Sequence, residues 1–241
     1  MKIHLDKSIY GNGKLSPHGI AAYCSIKILL QKEKSSKICV ERRTLEYQLT
    51  ESIENTKRFT GNLNAGVQEL ISAGYLNLLN KVGLAHVIDC TNLLSSENKK
   101  LFTAITLEEV HTIFKIKKSN RFNILSYFIN TIDTINNTQI YTNAKTCKKR
   151  IIGNMSIDYI ANIAGVSPIA AIEYNRLLEE EGLIYISRQG YSYNQKLGSP
   201  YRSRNIYGRA EDKEHIEEYA RKRKNSKNKL ENGEINNIKS N

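Results

Sequence analysis

Apolar positions along residues 156–193 (SIDYIANIAGVSPIAAIEYNRLLEEEGLIYISRQGYSY) follow first a helical and then a strand-like period. Ile157, Ile160 and Ile163 are spaced for one face of a short helix, and Ser156 ahead of them suits an N-cap. Gly165 supplies the backbone freedom of a sharp turn, and Val166 an apolar plug between two helices. Ser167-Pro168 is a cap followed by a residue suited to the first helical position, so a second helix opens here. It is predicted to bury Ala171, Tyr174 and Leu178 and to stop at Gly182. LIYIS, a turn at Arg188-Gln189-Gly190 and YSY then read as two short strands with Arg188 at the tip between them. Helix, tight turn, helix and hairpin predict a winged helix-turn-helix, whose second helix is the element that enters a DNA major groove.

The same order is legible earlier in the chain. Residues 1–13 read as a short polar lead with a turn at Tyr10-Gly11-Asn12-Gly13. Ser16-Pro17 opens a helix carrying Ile20, Tyr23, Ile26, Ile28 and Leu30, which runs into the charged stop QKEKSSK. A strand at 38–40, a short helix at 44–49 and a longer helix at 56–73 follow, the last ended by Gly74. YLNLLNKVGLAHVID then reads as strand, turn and strand. LISAGYLNLL at 70–79 can be laid on LLEEEGLIYI at 177–186, with Gly74 over Gly182. Residues 91–98 form a polar connection, and Thr106-Leu107-Glu108-Glu109 resembles a capping box opening a helix through Phe114. Residues 119–137 read as an amphipathic helix with Phe122, Leu125, Phe128 and Ile132 on one face. TQIYTNAKTCKKRIIGN reads as irregular or β structure with a basic tip. The expected fold is mainly α with small β-wings (α+β). Two tandem winged helix-turn-helix domains are expected at 1–95 and 96–210, then a basic C-terminal helix and disordered tail at 211–241.

Charge narrows the partner. Lys and Arg number 36 against 24 Asp and Glu, a formal net charge of +12. That balance favours a polyanion, nucleic acid ahead of an anionic membrane surface. No apolar run approaches the roughly 20 residues of a membrane span, and Met1-Lys2 is not followed by a signal-peptide core. A cytoplasmic protein, associated with nucleoid or plasmid and not with membrane, is expected. Cys24, Cys39, Cys90 and Cys147 lie far apart with no CxxC and no His at ligand spacing, so reduced thiols, no metal and no cofactor are expected. P-loop, GxGxxG, GxSxG and HExxH motifs are all missing, and the five histidines stand singly. No catalytic residue is expected, and the chain does not read as an enzyme.

Candidate contacts with double-stranded DNA fall into three groups. On the helix at 56–73, with Leu63, Val67 and Leu70 inward, Thr60, Asn62, Asn64 and Gln68 are expected on the other side, where amides can pair with adenine. Lys57 and Arg58 at its start suit phosphates or guanine; a solvated polar face is the plainer alternative. Gly61 and Gly66 weaken this helix, a cost that close approach to DNA would explain. The later helix turns Ser167, Pro168, Ile169, Ala170, Glu173 and Arg176 outward, a face with few donors. Ile169 and Ala170 suit either thymine methyl groups or another protein. Lys148, Lys149, Arg150, Arg188, Arg202, Arg204 and Arg209 suit phosphates, which fix orientation without reading sequence.

Two such units, the basic charge and the run SRNIYGRAEDKEHIEEYARKRK after the second resemble the tandem winged-helix replication initiators of plasmids and phages of low-GC Gram-positive bacteria. The resemblance implies sequence-specific binding to repeated origin sequences (iterons), a homodimer that represses its own promoter, a monomer that opens the origin, and host replication proteins as partners. The second reading helix departs from that pattern, being poor in polar side chains. A winged-helix transcriptional regulator, and an adaptor using one winged helix for protein contacts, stay open beside it.

Overall fold

The computed structural model describes residues 1–10, 15–53, 56–83, 85–95, 102–118, 120–137, 152–194 and 199–231. The first half comprises β1 (Lys2–Asp6), α1 (Lys7–Tyr10), α2 (Pro17–Glu33), β2 (Lys37–Val40), α3 (Arg42–Thr50), α4 (Lys57–Ser72), β3 (Asn77–Val82), β4 (Ala85–Asp89) and α5 (Thr91–Ser95). The second comprises β5 (Phe102–Thr106), α6 (Leu107–Lys115), α7 (Arg121–Asn137), β6 (Gly153–Met155), α8 (Ile157–Ala164), α9 (Pro168–Glu180), β7 (Ile184–Ser187), β8 (Tyr191–Asn194), β9 (Ser199–Arg202), β10 (Asn205–Arg209) and α10 (Lys213–Glu231). The protein is mixed α+β, mainly helical with small antiparallel sheets. In each half a long helix, a strand, two helices and a returning pair of strands follow in the same order. The sheets they form share one strand order, β2-β4-β3 and β6-β10-β7.

Local chemistry sets most helix starts. Ser16, Thr56, Ser156 and Ser167 each accept a bond from a backbone N–H of the first helical turn. Thr106 and Glu109 form the full reciprocal capping box at α6. Gly165 takes φ 65° at the C-terminus of α8, the left-handed conformation that a side chain disfavours.

The structure departs from the sequence reading in four places. The expected polar lead is instead β1, whose Ile3 and Leu5 are fully buried, followed by α1 with Ile9 and Tyr10 buried. β1 pairs antiparallel with β5, His4 opposite Ala104, so its partner lies about a hundred residues away in sequence. Helix α7 is not amphipathic, because it is buried on every side from Ile124 to Ile135. Its polar side chains satisfy themselves: Asn130, Thr131, Thr134 and Asn137 each donate to the carbonyl four residues back. β8 pairs with β9 rather than β7, and β7 pairs with β10. The 202–209 segment is therefore the returning limb of one long hairpin. Finally, helix α10 runs on to Glu231, past Asn225, beyond which the polar composition reads as disorder.

One apolar cluster runs from Ile3 to Tyr207 and takes in side chains of α2, α4, α7 and α9. Helix α4 comes so close to α2 that a Cβ on Gly66 would stand 2.2 Å from the carbonyl oxygen of His18. At the same contact Glu69 accepts from both the backbone N–H and the hydroxyl of Ser16, at 2.6 and 2.5 Å. Gly66 is thus explained by helix packing and not by an approach to DNA, whereas Gly61 is exposed with nothing within 4 Å of a built Cβ. Substitution of the two should have opposite signs. Gly66→Ala is expected to cost about 1–3 kcal/mol by overpacking, and Gly61→Ala to gain about 0.5–1 kcal/mol from helix propensity. Urea unfolding of both variants measures this.

Candidate nucleic-acid interface

Helix α4 buries Phe59, Leu63, Gly66, Val67 and Leu70, leaving a stripe of Lys57, Gly61, Ala65, Gln68 and Ser72 facing water. Arg58 is exposed at its start, and Asn64 lies half-buried beside the stripe. Thr60 and Asn62, also half-buried, flank the buried face on opposite sides, because at about 100° per residue they point some 160° apart. The four polar residues expected on one face are thus divided. Gln68 and Asn64 are gathered with Lys57, while Asn62 is turned away from them.

Helix α9 buries Ala171, Tyr174, Asn175, Leu177 and Leu178. Asn175 is fixed in the interior, accepting from the Tyr127 hydroxyl at 2.8 Å and donating to the Tyr207 hydroxyl at 3.3 Å. Burial pushes both tyrosines above their ordinary pKa, so they remain neutral hydrogen-bonding groups. Outward stand Ser167, whose hydroxyl caps the helix, then Pro168, Ile169, Ile172 and Arg176. Arg176 pairs with Glu180 at 2.5 Å, one turn along the same exposed face.

The remaining basic residues are dispersed. Arg188 is not at a wing tip: it sits where β7 gives way to β8 and grips both carboxylate oxygens of Glu179, a hydrogen-bonded pairing that raises its pKa further. Arg209 is turned inward from β10 and pairs with Glu109 of α6, while its other amino group donates to the Ala104 carbonyl at 2.9 Å. Arg209 ties the second sheet to α6 and β5, and the phosphate role expected of it is physically displaced by that internal contact. Arg204 is exposed, in a cleft of about 570 Å³ that it lines with Lys7, Asp133, Asn154 and Tyr159. Arg202 lies on β9, and Lys148, Lys149 and Arg150 fall outside the described residues.

The turn between α6 and α7, carrying Lys117 and Lys118 after Lys115 at the end of α6, is not among the contacts that the sequence predicts. Phe59 at the start of α4 packs on Phe114 and Phe122, with ring centroids 5.8 and 4.9 Å apart. The same turn reaches α9, where Lys118 pairs with Glu173 at 3.2 Å and Asn120 donates to the Tyr174 hydroxyl at 3.0 Å. It therefore ties the start of α4, through the Phe114 and Phe122 rings, to the middle of α9, through Lys118 and Asn120. The KIKKSNR stretch was visible in sequence as a charge cluster, but nothing local distinguished it from an ordinary solvated turn.

Beneath this turn Arg121 lies over the Phe59 ring at 5.1 Å and donates to the Phe114 carbonyl at 2.6 Å. Glu46 of α3 is buried nearby, and one of its carboxylate oxygens has no hydrogen-bond partner among the described residues. Among those residues no group of three or more His, Cys, Asp or Glu side chains could hold a metal ion. No helix there is long and apolar enough to cross a membrane. Cys24 and Cys90 are buried, which pushes each thiol up to about 12 and leaves it inert at neutral pH. No family model matches the chain, and no curated protein or solved structure matches it significantly.

Two stability predictions follow from these contacts. Arg209→Ala strands Glu109 in a largely buried position and should cost about 3–5 kcal/mol, whereas Arg204→Ala should leave thermal stability nearly unchanged; parallel melts distinguish them. Burial raises the Glu46 pKa, so the native state holds its proton more tightly than the unfolded chain does. Stability from this group is present at low pH and is lost as pH rises through the raised value. Glu46→Gln should accordingly gain on the parent protein as pH increases across that window, measured by urea unfolding at a series of pH values.

Proposed function

We propose that the protein is a tandem winged helix-turn-helix protein that binds double-stranded DNA sequence-specifically and initiates replication of a plasmid or phage from the cytoplasm. What carries this reading is the repeated order of long helix, strand, two helices and returning strands, with the same sheet order twice and the start of each last helix left uncovered. A net charge of +12 supports a polyanion as the ligand. The shared position of the α6–α7 turn against α4 and α9 supports both helices addressing one duplex. In this reading Lys57, Arg58 and Lys117 meet phosphates, and Gln68 and Asn64 meet base edges. Arg204 serves as an outlying phosphate contact. The edge strand β3 exposes Leu78, Leu79 and Val82, which suits pairing with a second copy in a homodimer. A transcriptional regulator would use the same DNA contacts, and origin-dependent replication of a reporter plasmid separates the two roles.

Binding should fall by orders of magnitude between low and physiological salt, as expected for roughly 6–10 phosphate contacts; a flat salt series would sink the reading. Against a duplex selected from a random pool, Asn64→Ala and Gln68→Ala should each lose about 1–3 kcal/mol of discrimination over a scrambled duplex. Asn62→Ala, turned off the stripe, should lose less. Competition binding with parallel melting tests all three.

A further inference from the structure

The outward face of α9 is apolar where a base-reading helix ordinarily carries amides. Ile169 is 80% exposed and Ile172, one turn later, is 52% exposed. The acidic side chains of this helix do not oppose a polyanion unaided. Glu173 is met by Lys118, Glu179 by Arg188 and Glu180 by Arg176. Helix α9 therefore offers an isoleucine stripe whose acidic neighbours are each neutralised, beside a turn that adds the exposed Lys117. The cations that meet those acids are spent in the pairs, so this face is close to neutral with an apolar centre, and on a duplex bound as proposed above it meets the floor of the groove rather than phosphates. In the major groove of a duplex the apolar groups are the 5-methyl groups of thymine, and cytosine carries none.

We propose that Ile169 and Ile172 read thymine 5-methyl groups, so that the segment of duplex facing α9 is thymine-rich while hydrogen-bond readout falls to α4. The inference rests on the DNA-binding reading above. It also gives the poorly polar second helix a recognition role that needs no donors. Two isoleucines left in water are a cost that withdrawal of both against methyl groups reverses.

The test titrates the full-length protein with duplexes of alternating A·T, alternating A·U, and alternating G·C with and without 5-methylcytosine. Each methyl group withdrawn from water is worth about fourfold in affinity, so two contacts should make A·T about fifteenfold tighter than A·U. Methylated G·C should likewise bind more tightly than unmethylated G·C. The double variant Ile169→Ser/Ile172→Ser should bind A·U as the parent does and show no preference for A·T. Both side chains are exposed, so its melting should match the parent's. Equal binding of A·T and A·U by the parent overturns the proposal, as does a preference that survives in the double variant, which would place methyl readout elsewhere. Loss of self-association in the double variant with its A·T preference intact would assign the stripe to protein contact. Failure to bind any duplex at low salt would instead overturn the DNA-binding reading itself.

Discussion

Helices α2 and α7 have almost no face left for water, and the rest of the structure is arranged around that burial. From Gly19 to Leu30 and from Ile124 to Ile135 every residue is covered. A helix covered all round needs neighbours on every side, and neither half supplies them alone. The apolar cluster that encloses both takes in strands, capping helices and hairpins of the two halves together. Several polar groups enter this interior with partners, while one carboxylate oxygen each of Asp6 and Glu46 has none among the described residues. Lys27 donates to the Leu93 carbonyl, and the Tyr10 hydroxyl, Thr103 and Asp133 close a buried triangle at 2.9 Å a side.

That packing explains how exposed helix faces are positioned. Helix α4 is held to α2 by the Gly66–His18 contact and by Glu69 at the N-terminus of α2, which leaves its outer stripe pointing away from the core. Helix α9 is held through Asn175 to tyrosines of α7 and β10. Each outward helix is thus anchored by its inner face to one of the two central helices, a rigid mounting for side chains that must match a partner's geometry. The α6–α7 turn is fixed by the same means, since Phe114 and Phe122 flank it and both pack on Phe59.

Charge placement follows a division of labour. Arg209, Arg188 and Arg121 are the arginines best held by the fold, through Glu109, through Glu179, and through the Phe114 carbonyl with aromatic faces. Their planar, multiply donating groups suit such posts, internal for Arg209 and Arg121 and at the surface for Arg188. Exposed positive charge near α4 and α9 comes largely from lysines, with Arg58 and Arg176, whose pairings at the surface are weak and exchangeable.

Elements whose signals are local follow from the chain alone. Ser and Thr caps, Pro17 and Pro168, Gly165 and the helical spacing of Ile160, Ala171 and Leu178 act over a turn or two, so α2, α4, α6, α8 and α9 were legible from the chain alone. Tertiary structure decided whatever depended on a distant partner. β1 is a five-residue strand whose mate begins at Phe102, and its alternation of Lys2, Ile3, His4, Leu5 and Asp6 is too short to mark a strand without that partner. YSY could have paired with LIYIS by proximity, yet the register goes to 199–202 and sends LIYIS to β10. The polar letters of α7 suggested a wet face because periodicity cannot show that Asn130, Thr131 and Thr134 bond back to their own helix in a dry interior. Arg209 and Arg204 are five residues apart and chemically alike. Only the fold gives one a buried carboxylate and leaves the other in water, because charge is read from the chain but the distance to a counter-charge is not.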